Sequence, residues 1–457
     1  MLLFKAKDLM ATLAMFHEVG TLNNTQVFLE KYSRSLFCLT RSESAPLSKD
    51  CDRNVTVSNK VENFLHESRL SQKSIRTFNK KDLYKRRGLE LTLIVTDYCN
   101  FACPYCFASD LYPGSKTLKP EEIVYHIRSF LNSSDIRISS LIFFGGEPLL
   151  AFKAIKLAWS EIQALFNDHQ GEMPSLAIVT NGSLITDDIA KFLAENDFAV
   201  TVSLDGPKTI HDLCRPIKRG RGSYEQVVKG INALSKAGAF YSIEATYTSK
   251  HLELGIEVLD IVDHALELNA QEVHVMPAFP EQASGINEIE NAYVASLFKV
   301  AATRAAKNYL TEGAMELAYV SRLIYAFAHD RKRHYICTAG IDKFSVMSNG
   351  DIVPCYLVCD SPHKIASCSE EAKSKLNNFP LKDAIPKYRT LVRNNLPECS
   401  GCWASDWCFA CYGPRYARDR SLGAPGGLEC EIYKAMIEAT FLECAKFLAN
   451  RSGKVSG

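Results

Sequence analysis

The chain has 457 residues, with 53 basic against 52 acidic side chains and 47% apolar content. At ~100–200 residues per domain, this length points to two or three domains with ample chain for a large core. A net charge of +1 speaks against a basic nucleic-acid-binding surface and an acidic disordered chain, and the lack of any uncharged apolar run of ~18 residues speaks against a membrane partner.

Residues 1–88 are mixed in composition and form a first zone, a candidate peptide-recognition segment. In the opening MLLFKAKDLM, Lys5, Lys7 and Asp8 interrupt any apolar signal core, so a cytoplasmic location is expected. A helix is expected around Asp8–Val19. From Arg69 to Gly88, eight Lys or Arg stand against one acid, Asp82. That run reads as a solvated linker or helix face, or else as a contact surface for an acidic peptide segment. A strand–strand–strand–helix pattern, which a small leader-binding module would need, is not evident here.

Residues 89–285 alternate β-rich and amphipathic stretches. Leu91–Thr96, Leu141–Phe144, Leu176–Thr180, Phe198–Leu204, Ser242–Thr248 and Glu272–Met276 read as strands. Pro120–Leu131, Ala151–Phe166, Asp187–Glu195, Tyr224–Ala237 and Leu252–Leu268 read as helices between them. Such a series favours a parallel sheet. Periodicity does not separate a full or partial barrel from a flat doubly wound sheet. Residues 286–332 continue as a helical connector. Residues 333–457 are loop- and cysteine-rich up to Cys430 and close on a helix around Ile432–Leu448. A region so poor in long apolar runs needs metal to hold its fold.

Cysteine is over-represented, with 16 residues. Without an export signal, clustered cysteines point to metal binding or reactivity rather than disulfides. Cys99, Cys103 and Cys106 stand in a C-x3-C-x2-C loop directly after the first strand. Thiolates are the usual ligands of iron–sulfur clusters, and a cubane takes four ligands. Three cysteines on one loop leave one iron open. Zinc is the alternative, but it prefers four ligands, and no fourth Cys or His lies nearby in sequence.

This loop resembles the signature of the radical S-adenosylmethionine (SAM) enzymes. The resemblance implies an α/β fold, a partial (β/α)6 TIM-type barrel with a C-terminal cysteine-rich iron–sulfur domain. It implies that Cys99, Cys103 and Cys106 hold a 4Fe–4S cluster whose open iron chelates SAM, yielding a 5′-deoxyadenosyl radical. Further segments agree with it. Gly145-Gly146-Glu147-Pro148 follows the second strand; the glycines allow close backbone approach and the carboxylate can pair with an ammonium group. In the family this segment holds the SAM amino group. Asn181 lies in a Thr-Asn-Gly segment after the third strand. Ser203 ends the fourth, with Arg215 twelve residues beyond; in related members such a pair binds the SAM carboxylate. Tyr105 and Phe107 are assigned to shielding the cluster or facing the adenine, with ordinary packing the alternative. Met276 and Cys214 are expected in the core. All the motifs sit at carboxyl ends of strands, where barrel active sites assemble.

In the tail, twelve residues separate Cys337 from Gly350 and four more lead to Cys355; Cys399-x2-Cys402-x5-Cys408-x2-Cys411 and then Cys430 follow. Two C-x2-C pairs taken alone read as a zinc ribbon. The longer pattern resembles the SPASM extension of radical SAM enzymes that modify peptides and proteins, which carries two auxiliary 4Fe–4S clusters. The usual three residues between the fifth and sixth cysteines are here two, Phe409 and Ala410. Carried over by position, Cys399, Cys402, Cys408 and Cys430 hold the outer cluster, and Cys337, Cys355 and Cys411 the inner one. Its fourth ligand is Cys359, Cys368 or an open site. Cys38, Cys51 and Cys444 have no partner spacing.

The resemblance implies a radical SAM oxidoreductase acting on a peptide or protein, supplied by a one-electron reductant such as flavodoxin or ferredoxin. The first expectation is a maturase that installs a thioether or carbon–carbon cross-link on a ribosomally made precursor peptide. The second is an anaerobic sulfatase-maturating enzyme forming formylglycine. In that family an Asp after the second SPASM cysteine serves as base; here Tyr356 stands there, and the nearest carboxylate is Asp360. A zinc-stabilised peptide-binding protein is the alternative of another class.

Overall fold

The computed structural model describes residues 16–22, 25–30, 36–40, 88–112, 116–133, 137–218, 220–279, 284–329, 333–367 and 381–451. Its first element corrects the expected Asp8–Val19 helix. Phe16–Leu22 is a strand, β1, followed by β2 (Thr25–Glu30) and β3 (Leu36–Thr40) in an antiparallel meander. Tertiary packing overrides the helical pattern: Val19 and Val27 bury one face of the meander against Trp407, Ile437 and Phe441. Residues 8–15 and the basic run 69–87 lie outside the described residues.

Six strands follow: β4 (Leu89–Thr96), β5 (Ile138–Gly145), β6 (Ser175–Thr180), β7 (Phe198–Ser203), β8 (Tyr241–Tyr247) and β9 (Glu272–Pro277). They are parallel and lie in sequence order across one sheet. Parallel crossovers are right-handed, so an order that never reverses puts every crossover helix on the same face. The free face must then curl inward. This order decides for a partial barrel over a doubly wound sheet, which periodicity left open.

The helices are α1 (Pro120–Ser133), α2 (Phe152–Gln170), α3 (Asp187–Glu195), α4 (Lys208–Cys214), α5 (Tyr224–Ala237) and α6 (Val258–Glu267). Their starts are legible. At α3, the Thr186 hydroxyl accepts from Ile189 N–H at 3.3 Å, and Asp187 and Asp188 fill the first turn, where the helix dipole favours negative charge. The expected Leu252–Leu268 helix is divided: a short helical turn ends at Gly255, whose φ is +65°, and α6 restarts behind the Glu257 capping box. Alternate strand residues such as Leu93, Phe143, Val202 and Ile243 form the core with the helices, leaving Phe144, Ser203 and Glu244 on the inner face.

Beyond β9, α7 (Asn291–Glu312) and α8 (Ala318–Ala328) form the expected connector. The cysteine-rich region then adds β10 (Lys343–Val346) parallel to β4, with Lys343 Nζ 2.9 Å from the Glu90 carboxylate. β11 (Asp351–Val353) and β12 (Ala366–Ser367) extend the sheet antiparallel, giving nine strands in the order β12-β11-β10-β4-β5-β6-β7-β8-β9. Among the described residues, three helices longer than one turn complete the region: α9 (Leu381–Arg389), α10 (Gly413–Asp419) and α11 (Gly427–Arg451). α11 packs along α7 and also carries the N-terminal meander.

His17 stacks on Trp403 with ring centroids 3.6 Å apart, and its Nε2 lies 2.9 Å from Glu438 of α11. The meander is thereby fastened to the loop between Cys402 and Cys408. Phe441, fully buried between Trp407 and Phe327, is the keystone of this contact. Phe441→Ala is expected to cost about 3–5 kcal/mol of stability in denaturant titration, and to expose residues 16–40 to protease before the barrel is cut.

Candidate active site

The three-thiol loop leaves β4 at Asp97 and lies against the loop that ends β5. Gly146 N–H donates to Thr96 O at 2.9 Å and Glu147 N–H to Tyr98 O at 2.8 Å. A Cβ on Gly146 would stand 2.4 Å from the Tyr98 carbonyl oxygen, so only glycine permits this approach. Glu147 is fully buried. Its Oε1 accepts from Thr180 Oγ1 at 2.6 Å and Leu149 N–H at 3.0 Å, and its Oε2 from Asn181 N–H at 2.7 Å. Burial pushes its pKa up to about 7 against the pull of these donors. The carboxylate thus ties β5 to β6, while the glycines bring the backbone to the mouth.

Asn181 joins the same knot. Its Nδ2 donates to Asn100 Oδ1 at 2.8 Å and lies 3.9 Å from Cys99 Sγ. Cys99, Cys103 and Cys106 are half-buried and in no disulfide. Burial raises the Cys99 thiol and takes Cys103 up to about 12, with Cys106 adding to both. Phe101 N–H donates to Cys99 Sγ at 3.3 Å.

Across the mouth, Tyr105 donates to the Oδ2 of Asp205. Asp205 has no exposed surface; its Oδ1 lies 2.9 Å from Arg215 Nε and accepts from Thr246 N–H at 2.9 Å. Burial alone would raise its pKa, but Arg215, His211 and these donors hold it below the ordinary carboxylate range. Arg215 also donates to Thr246 Oγ1 at 3.2 Å and sits over the Tyr105 ring. Ser203 lies half-buried at the carboxyl end of β7, in register with Glu244 of β8, which is in register with His274 of β9. The expected Ser203 and Arg215 therefore share one end of the barrel, with Arg215 held by Asp205.

Phe107 stacks on Phe279 at 5.8 Å and on Tyr356 at 5.9 Å; Tyr356 in turn stacks on Phe144 of β5 at 4.6 Å. Tyr356 comes from the turn after β11. Burial drives its pKa well up, helped by the charges of Cys355 and Glu244. It therefore lies between the inner face of the barrel and the cysteines of the tail. Asp360 instead bonds the Tyr416 hydroxyl. Met276 is half-buried against the core and Cys214 is buried.

In the tail, Cys399, Cys402, Cys408 and Cys430 line one cavity of about 230 Å³. Cys337, Cys355 and Cys411 form a second group: burial raises Cys355 to about 12, Cys337 adds to it, and both raise Cys411 further. The two-residue Phe409-Ala410 spacer thus leaves Cys408 and Cys411 in different groups. Cys359 packs against the cluster that holds Tyr112 and Met347 and its charge also raises Cys355; the side chains of Cys38, Cys51 and Cys368 lie outside the described residues.

The donor sets fit iron–sulfur clusters. Beside Phe101, the N–H groups of Leu357 and Gly413 donate to Cys355 and Cys411 Sγ at 3.5 and 3.2 Å, and Ala410 bonds Cys408; amide bonds to sulfur tune such clusters. Among the described residues no three His, Cys, Asp or Glu side chains close on one point as ligands of a single ion. Buried Arg393 donates to Tyr335 O, Ser405 O and Cys408 O at 3.0, 2.6 and 2.6 Å, placing a cation beside the four-cysteine cavity.

Sequence reasoning passed over Asp205, Glu244 and Arg393. The signal for Glu244 was present: it is the one charged residue of its strand, Tyr-Ser-Ile-Glu-Ala-Thr-Tyr.

Asp205→Asn would leave the buried Arg215 without its counter-charge, and is expected to destabilise the protein by about 3–5 kcal/mol near neutral pH. Because the folded-state pKa of Asp205 is depressed, its contribution is present above the unfolded pKa and lost as pH falls through the folded one. The gap between wild type and variant should narrow in acid, as measured by denaturant titration at several pH values.

Residues 93–248 match the model of the Radical SAM superfamily. The chain is 30% identical over 164 residues to the serine-type anaerobic sulfatase-maturating enzyme of Bacteroides thetaiotaomicron, covering 35% of this chain and 39% of that one. It is 25% identical over 203 residues to the radical SAM cyclopropyl synthase TigE of Paramaledivibacter caminithermalis, covering 41% and 40%. The matched stretches thus span about two fifths of these curated relatives. The fold is similar to that of native anSMEcpe with bound AdoMet, at a TM-score of 0.64 and 22% identity over 80% of this chain and 100% of that one. No helix among the described residues is long and apolar enough to cross a membrane. Over residues 93–248 the chain therefore carries a domain of the Radical SAM superfamily.

Proposed function

We propose that the chain is a cytoplasmic radical SAM peptide maturase that installs a thioether or carbon–carbon cross-link on a ribosomally made precursor peptide. The observation that carries this reading is the joint placement of two features. The three-thiol loop is knotted to Gly146, Glu147 and Asn181 at the barrel mouth. Tyr356 links the inner face to a second set of thiols. When bound, SAM supplies a 5′-deoxyadenosyl radical that takes a hydrogen atom from the substrate.

The chain's own residues then have these roles. Cys99, Cys103 and Cys106 hold a 4Fe–4S cluster with one iron left to SAM. The backbone of Gly145–Pro148 faces the SAM amino group, and Ser203 and Arg215 its carboxylate. Phe107, Phe144 and Tyr356 keep water from the mouth. Cys399, Cys402, Cys408 and Cys430 hold an outer auxiliary cluster, with Cys337, Cys355 and Cys411 on an inner one. The domains are then residues 89–285 for the core, 286–332 for the connector and 333–457 for the SPASM region. Residues 1–88 are proposed to recognise the precursor peptide; three antiparallel strands within them are consistent with that role. A flavodoxin or ferredoxin is the proposed reductant.

Formylglycine formation on a sulfatase is the second reading, favoured by the likeness to a sulfatase-maturating enzyme. Tyr356 at the position of that family's base counts against it.

Anaerobically reconstituted protein is expected to be brown and to carry about twelve irons per chain, four for each cubane; stoichiometric zinc in a colourless protein would contradict this. Replacing Cys99, Cys103 and Cys106 together by Ala should abolish 5′-deoxyadenosine formation and remove about four of those irons.

Reduced enzyme with SAM and candidate precursor peptides should give a product lighter by two hydrogens and resistant to fragmentation at the joined residues. Deleting residues 1–80 should weaken binding of that peptide. Formylglycine on a sulfatase peptide instead would transfer the assignment to the second reading.

A further inference from the structure

On the inner face, Glu244 differs from Asp205 and Glu147, the two acids that tie the barrel mouth together. It sits mid-way along β8 between buried Ile243 and Ala245. Its side chain has accessible surface, but that surface opens into the barrel, where the surrounding protein desolvates the carboxylate. Asp205 and Glu147 are each satisfied by three groups of the chain. Among the described residues no donor is paired with the Glu244 carboxylate; Arg215, the nearby cation, is bound to Asp205. A carboxylate placed in a protein interior for structural reasons is normally paired. This one is left for an arriving group.

Its surroundings identify that group. Arg215 and Asp205 face it from the loops beyond α4 and β7, Tyr356 from the turn after β11, and Ser203 and His274 are its register neighbours. His274 is neutral near pH 7, since burial, aided by Arg322, lowers its pKa to about 4. Burial, with Asp205 adding and Arg215 opposing, raises the pKa of Glu244. A carboxylate so tuned is a better proton acceptor near neutral pH than an ordinary one.

We propose that Glu244 is the catalytic residue that takes the proton released by the peptide side chain modified in the barrel. The proposal rests on the maturase reading above. A two-electron oxidation removes two hydrogens from the peptide. One leaves as an atom to the 5′-deoxyadenosyl carbon, breaking a C–H bond. The other leaves as a proton to Glu244 and an electron to a one-electron acceptor of the iron–sulfur class, as the new bond to the peptide's second group closes.

The test compares full-length, anaerobically reconstituted wild type with Glu244→Gln, using the precursor peptide that shows the two-hydrogen mass loss. In the variant, 5′-deoxyadenosine should still form, while the ratio of modified peptide to 5′-deoxyadenosine falls about 10²–10⁴-fold; Glu244→Asp should recover part of it. Infrared difference titration without SAM or peptide should reveal a protonated-carboxyl band that persists above the ordinary carboxylate range and is missing from Glu244→Gln. An unchanged product ratio overturns the proposal. So does loss of 5′-deoxyadenosine in step with product, which would make Glu244 a cofactor-holding group, or absence of the infrared band. A wild type that forms no 5′-deoxyadenosine overturns the maturase reading instead, and the band still decides whether Glu244 is poised to take a proton.

Discussion

The buried Asp205 carboxylate is the tie on which the barrel mouth depends. It draws Tyr105 from the three-thiol loop, Arg215 from beyond α4 and the Thr246 amide from β8 onto one pair of oxygens. Burying a carboxylate and a guanidinium costs several kcal/mol per ion unless each is fully engaged. Once those partners are in place, any displacement of the loop would leave the buried Asp205 Oδ2 without its Tyr105 donor. The thiol loop is therefore held in position by an electrostatic penalty as much as by packing. Glu147 does the same on the other flank, with donors from β6 and its own turn.

The thiols themselves are held out of water. Burial raises Cys103 and Cys355 to about 12, so in the metal-free chain they stay protonated. Metal binding must remove those protons, which couples occupancy to pH and to folding. Amide donors to sulfur, and Arg393 beside the four-cysteine cavity, compensate the negative charge a bound cluster would bring. The joining of β10 to β4 makes the tail part of the same sheet. Tyr356, stacked on Phe144, then carries the contact from the tail into the barrel.

Much of this was legible in the sequence. The six parallel strands and most crossover helices follow from period-two and period-3.6 patterns, whereas the division of the tail cysteines into two groups came from the resemblance to the SPASM extension, since spacing alone pairs Cys399-x2-Cys402 with Cys408-x2-Cys411. What was not legible depended on contacts between distant segments. β1 looked helical because its burying partners, Trp407 and Phe441, lie near the other end of the chain. The break at Gly255 was hidden inside an amphipathic pattern. Arg393 reads as an ordinary surface cation until its three carbonyl partners are seen.

The central claim is that a cluster on Cys99, Cys103 and Cys106 offers SAM a vacant iron. Electron–nuclear double resonance on the reduced protein with SAM labelled at its amino nitrogen and carboxylate oxygens tests it most directly. Hyperfine coupling of both labels to the cluster, present in wild type and lost when the three cysteines are Ala, is the expected result. A reduced cluster whose spectrum ignores labelled SAM would contradict the account.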